Sequence, residues 1–153
     1  MARRAQSATV VDPIVVGRAR DLLSRADLLL DNAIAVIDDA ERFRQLYLAA
    51  LRAAGAAIAI GESSRRSTRG LPTNAWSRLA IVMPELDFYA DFFAARSSLR
   101  MNIEAGIERS VDPGVGAETH RRVLEFLDAV ETLVMAYERG GRPSAEPSLA
   151  HPA

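Results

Sequence analysis

ERFRQLYLAALRAAGAAIAIG, residues 41–61, is the stretch whose reading decides the fold. No proline interrupts it, and its apolar spacing fits one long helix. Phe43, Leu46, Tyr47, Ala50, Leu51, Ala54, Ala57 and Ile58 carry the apolar side. The second half is almost wholly alanine, glycine and isoleucine, so nearly every face there is apolar. A helix apolar all round must be covered all round, and the other helical segments are its wrapping. Ala53 to Ala57 are all small and let a neighbour approach closely. Gly55 lowers helix propensity by about 1 kcal/mol against alanine, a cost that tight packing explains. Gly61 is placed to end the helix in the left-handed conformation.

Toward the N-terminus, residues 1–11 read as a loose arm. Asp12-Pro13 starts a helix, with aspartate capping free amides and proline suiting the first turn. From Ile14 to about Asp38, Val15, Ala19, Leu22, Ala26, Leu29, Ala33 and Val36 form one stripe. The arginines and aspartates off that stripe are a solvated face. Asp38, Asp39 and Glu41 suit the positive start of the next helix.

Toward the C-terminus, residues 62–72 are a loop in which Arg65, Arg66 and Arg69 form a basic cluster. Thr73 is placed to cap a short helix from Asn74 to about Met83, with Trp76 as a core anchor. Pro84 restarts the chain, and Glu85 to about Ile103 reads as one helix rich in aromatics. Its aromatic side chains read as core packing; the alternative is a dimer face, because few helices remain to cover Phe88 and Phe92. Ala105-Gly106 closes that helix or sits in a frayed end. Asp112-Pro113 repeats the earlier start signal, although Gly114 and Gly116 allow the boundary to slip to Ala117. The last helix runs to about Arg139, and the tail from 140 to 153 has the composition of a disordered segment. The expected architecture is all-α: one domain over 12–139, an antiparallel up-and-down bundle of four long helices plus one short helix.

Composition narrows the chemistry. The chain has 153 residues, no cysteine and a net charge of -1, so disulfides and thiolate sites are excluded. No global basic footprint marks a nucleic-acid or membrane surface. Every basic residue apart from the two histidines is arginine. The sequence suggests no membrane span and no signal peptide, and the expected location is cytoplasmic.

Catalytic motifs are sparse. Of the two histidines, His151 lies in the tail and His120 lies near the start of the last helix, next to Arg121 and Arg122. The Glu-x-x-His pairing of carboxylate metal sites fails, because Ala117 stands three before His120. Neither a phosphate-binding GxxxxGK[ST] loop nor a nucleophile elbow occurs. No metal and no cofactor is expected.

Two stretches carry a resemblance: ERFRQLYLAALRAA at 41–54, and PELDFYADFFAAR at 84–96 followed by Arg100 and Glu104–Gly106. In this order they resemble the actinobacterial SAV_6107-type branch of the HEPN domains, over roughly residues 14–138. The resemblance implies a helical bundle, commonly dimeric. It also implies a role as a metal-independent ribonuclease, a toxin or a partner of a nucleotidyltransferase. Ribonuclease members carry an R-x(4–6)-H motif whose two residues meet across a dimer cleft. Here the nearest arginine upstream of His120 is Arg109, too far for the motif, and the spacing from Arg42 ends in Tyr47. Relatives of this branch can carry a histidine at that point. A tyrosine, with an ordinary pKa near ~10, is a poor base at neutral pH.

The resulting expectation is a non-catalytic, homodimeric interaction module that acts with a partner protein, RNA or a nucleotide-containing ligand. Arg42, Tyr47, Arg65, Arg66 and Arg69 are its candidate binding residues. The alternative is an RNA-cutting enzyme that uses Arg100 or Arg109 with His120.

Overall fold

The computed structural model describes residues 10–140; the expected arm and tail lie almost wholly outside that range. Six α-helices follow one another: α1 Pro13–Ala35, α2 Asp39–Glu62, α3 Ala75–Val82, α4 Asp87–Ala94, α5 Ser97–Glu104 and α6 Pro113–Glu138. A single 3₁₀ turn, Pro84–Leu86, precedes α4, and there is no strand among the described residues.

The helix starts follow local chemistry. Asp12 accepts from the Ile14 amide at 2.9 Å, Asp38 from the Glu41 amide at 2.8 Å, and Asp112 from the amides of Gly114 and Val115. Pro113 is the first residue of α6, so the glycines do not delay the helix. Each such cap contributes about 1 kcal/mol. The cap of α3 is Asn74 rather than Thr73: its side chain accepts from the amides of Trp76 and Ser77. α1 stops at Ala35 instead of reaching Asp38. Val36 turns extended, and Arg42 of α2 donates to the carbonyls of Val36 and Ile37.

α2 is the centre. Twelve of its residues are buried, and Ala49, Ala50, Ala53, Ala54, Ala56 and Ala57 have no exposed surface. α1 packs against it most extensively, and α6 next. Gly55 explains the closeness to α1, because a Cβ there would lie 3.2 Å from Leu22 Cδ1. Gly61 does not take the expected left-handed conformation. It lies inside the helix, where a Cβ would stand 2.6 Å from the Val82 carbonyl oxygen. Its task is close approach to the end of α3. By length and a mean hydropathy of 1.2 over 18 residues, α2 could cross a membrane, contrary to the sequence reading. With 56% of that window buried in the fold, it is a core helix.

The expected helix over Glu85–Ile103 is broken into the 3₁₀ turn, α4 and α5. The cause is a set of competing hydrogen bonds. The Phe92 carbonyl accepts from the Arg96 guanidinium, and the Arg96 amide moves to Phe93. The Phe93 carbonyl also accepts from the Tyr47 hydroxyl, and the Ala94 carbonyl from the Ser97 hydroxyl. Three successive carbonyls are thus taken partly by side chains. The architecture is three long helices and three of eight residues rather than four long and one short. After α5 the chain turns at Gly106, with φ of +79°, and the Ile107 amide reaches back to the Asn102 carbonyl.

Helix directions place the site. α1 and α2 form a hairpin. α1 also runs against α6: the Asp12 amide donates to the Tyr137 hydroxyl, and Arg20 pairs with Glu131 and Glu138. α2 and α6 therefore begin at the same end of the molecule.

Candidate functional site

At that shared end, a half-enclosed cleft of about 260 Å³ opens between the first turns of α2 and α6. Phe43, Leu46 and Val111 give it buried apolar walls, and Asp39, Arg42, Asp112 and His120 are its polar groups. Pro113, Gly116 and Ala117 complete the edge. Arg42 and His120 thus line one space although 78 positions separate their numbers (120 minus 42). Arg42 is already engaged, with Val36 and Ile37 on its Nη2 and Asp39 at 3.9 Å from its Nη1. The Asp112 carboxylate is held by the α6 amides. His120 is half-buried.

Tyr47 is not in the cleft. It is 1% exposed, and its hydroxyl donates to the Phe93 carbonyl and accepts from Trp76 Nε1, both at 2.9 Å. Trp76 and Phe93 meet its ring nearly edge-on, at centroid distances of 6.0 and 6.1 Å. Such pairs add about 0.5–1.5 kcal/mol each beyond area burial. Burial pushes the hydroxyl pKa above its ordinary value, against the Trp76 hydrogen bond and the nearby Arg100 charge, which pull it down. A phenol in that setting holds its proton at neutral pH.

Arg100 stacks over the Tyr47 ring at 5.2 Å and pairs with Glu104 at 3.0 Å. Arg109 is exposed in the segment before α6. Neither lines the cleft with His120. Arg65, Arg66 and Arg69 are exposed in the α2–α3 connection, away from the cleft lining.

Sequence reasoning missed two groups. Asp39 and Asp112 were legible as helix-start residues, but their meeting follows only from the common direction of α2 and α6. Arg96 and Arg122 were given no functional role either. Arg96 covers Phe92 at 3.7 Å, and Arg122 lies 5.1 Å from the Phe88 centroid, which puts guanidinium groups on the aromatic face of α4. Each also pairs with a glutamate of α6, Arg96 with Glu118 and Arg122 with Glu125.

A second, shallower groove between α1 and α6 is lined by Leu23, Leu124 and Leu127 with Asp27, Glu125, Asp128 and Glu131. Partial burial, then the charges of Glu131 and Asp31, push the Asp27 carboxyl pKa up. No group of three or more metal-ligating side chains is arranged to hold an ion among the described residues.

An all-helical module with a half-enclosed cleft where two helices start, and an arginine-covered aromatic face, defines the class. A family model described as SAV_6107-like HEPN matches residues 33–131, and the chain belongs to that family. Comparison with curated proteins and with solved structures gives no match.

Proposed function

We propose that this chain is a non-catalytic HEPN module that works by association, as a homodimer and with a partner protein such as a nucleotidyltransferase. The observation that carries the proposal is Tyr47. It stands where the R-x(4–6)-H spacing from Arg42 would place a histidine, and it is a buried hydrogen-bonded core residue. A side chain there has no route to a substrate. Phe88, 54% exposed under the Arg122 guanidinium, supports association, since phenylalanine and arginine are enriched in interfaces.

The test is incubation of the purified chain with single-stranded RNA in chelator. The expected result is intact RNA, for the natural chain and for Tyr47→His alike. Metal-independent cleavage that His120→Ala abolishes would overturn the proposal.

That outcome has its own structural support. Arg42 and His120 share one cleft, so an RNA-cutting site would use Arg42 rather than Arg100 or Arg109 beside the histidine. Against it stands the commitment of the Arg42 guanidinium to the end of α1.

A further inference from the structure

The cleft at the start of α2 and α6 contains one polar side chain with neither a hydrogen bond nor an ion pair among the described residues. The Arg42 Nη2 group donates to two backbone carbonyls, and Asp112 accepts from two backbone amides. His120 is half-buried and has no hydrogen-bond or ion-pair partner among the described residues. Beside it, Phe43 and Leu46 are each 1% exposed and Val111 6%, so the walls are buried and apolar. About 260 Å³ admits one compact ring system. A half-enclosed, mainly apolar space with a few convergent polar groups is how small-molecule sites are built.

We infer that this cleft binds a compact aromatic carboxylic acid. The ring lies against Phe43, Leu46 and Val111, and the carboxylate meets His120. An acid is favoured over an alcohol because a hydrogen bond to a carboxylate is charge-assisted and roughly twice as strong as a neutral one. Arg42 adds a fixed positive charge on the same rim. Asp39 offsets part of that charge from 3.9 Å. The negative charge of Asp112 is balanced by the positive end of α6. His120 therefore selects the polar end of the ligand. The inference holds whether or not the chain cuts RNA.

Benzoate is the probe, benzyl alcohol its neutral counterpart and AMP the nucleotide comparison. Histidine ring resonances of the full chain are followed in ¹H–¹³C spectra, with His120→Ala separating the His120 signal from that of His151. Benzoate should move the His120 signal saturably, with a dissociation constant on the order of 1 mM, as expected for so small a ligand. Benzyl alcohol should bind roughly tenfold more weakly. Ala117→Trp, at an exposed position on the edge of the cleft, should abolish the shift. Saturation transfer to benzoate protons gives an independent readout, in which His120→Ala should weaken binding about tenfold. The inference is overturned if benzoate gives no saturable shift. It is overturned equally if binding survives both substitutions, or if AMP acts at lower concentration than benzoate.

Discussion

Tyr47 shows how much one hydroxyl can organise. It joins α2 to α3 through Trp76 and to the end of α4 through Phe93. Tyr47→Phe keeps the ring but leaves the indole N–H buried without a partner. The expected loss is about 1–3 kcal/mol, read as a lower urea midpoint with unchanged slope. Glu41 shows a different residue-scale effect. Hydrogen bonds from Arg44, then from Gln45, hold its carboxyl down at about 2, against an ordinary value of 4.5. The folded state therefore binds this proton less readily than the unfolded chain. The stability contributed is fully present above the unfolded value and is lost as the pH falls toward 2. The melting difference between the natural chain and Glu41→Gln should be constant above pH 5 and close steadily below it. A difference independent of pH would refute the assignment.

Among the elements, legibility tracked whether the signal was local. The starts of α1, α2 and α6 were readable because an aspartate cap acts within three residues of itself. The small residues of α2 were readable because a helix apolar on every side has few alternatives. The break between α4 and α5 was not, since neither glycine nor proline marks it. It depends on Tyr47, 46 positions away from the carbonyl it takes. Gly61 failed in the same manner: glycine near a helix end suggests a cap, but here it serves the approach of Val82 from another element. α5 is the weakest element, with no fully buried residue. Its amides should exchange with solvent well before those of α2, because local opening there breaks few apolar contacts. Protection equal to that of α2 would contradict this account.

For the whole molecule, the candidate site was legible in its parts and not in its assembly. Arg42 and His120 were each singled out in the sequence. That they face one cleft follows from the shared direction of α2 and α6, which rests on distant pairings such as Arg20 with Glu138. Arg100 and Arg109 are on other surfaces. The proposed homodimer belongs to this scale. Phe88→Asp replaces an exposed ring on α4 and should leave the fold intact while shifting sedimentation from dimer to monomer. A natural chain that sediments as a monomer at all concentrations would remove the dimer from the proposal.

Trp76 has a practical consequence beyond packing. It is the only tryptophan in the chain. Its ring stacks on Phe93 of α4 at 5.1 Å and leans on Phe126 of α6 at 6.2 Å, while its N–H bonds to Tyr47 of α2. One fluorophore thus stands where four helices meet. Its emission reports the packing of those four helices, so partial loosening of any one of them should register as a red shift before the chain unfolds.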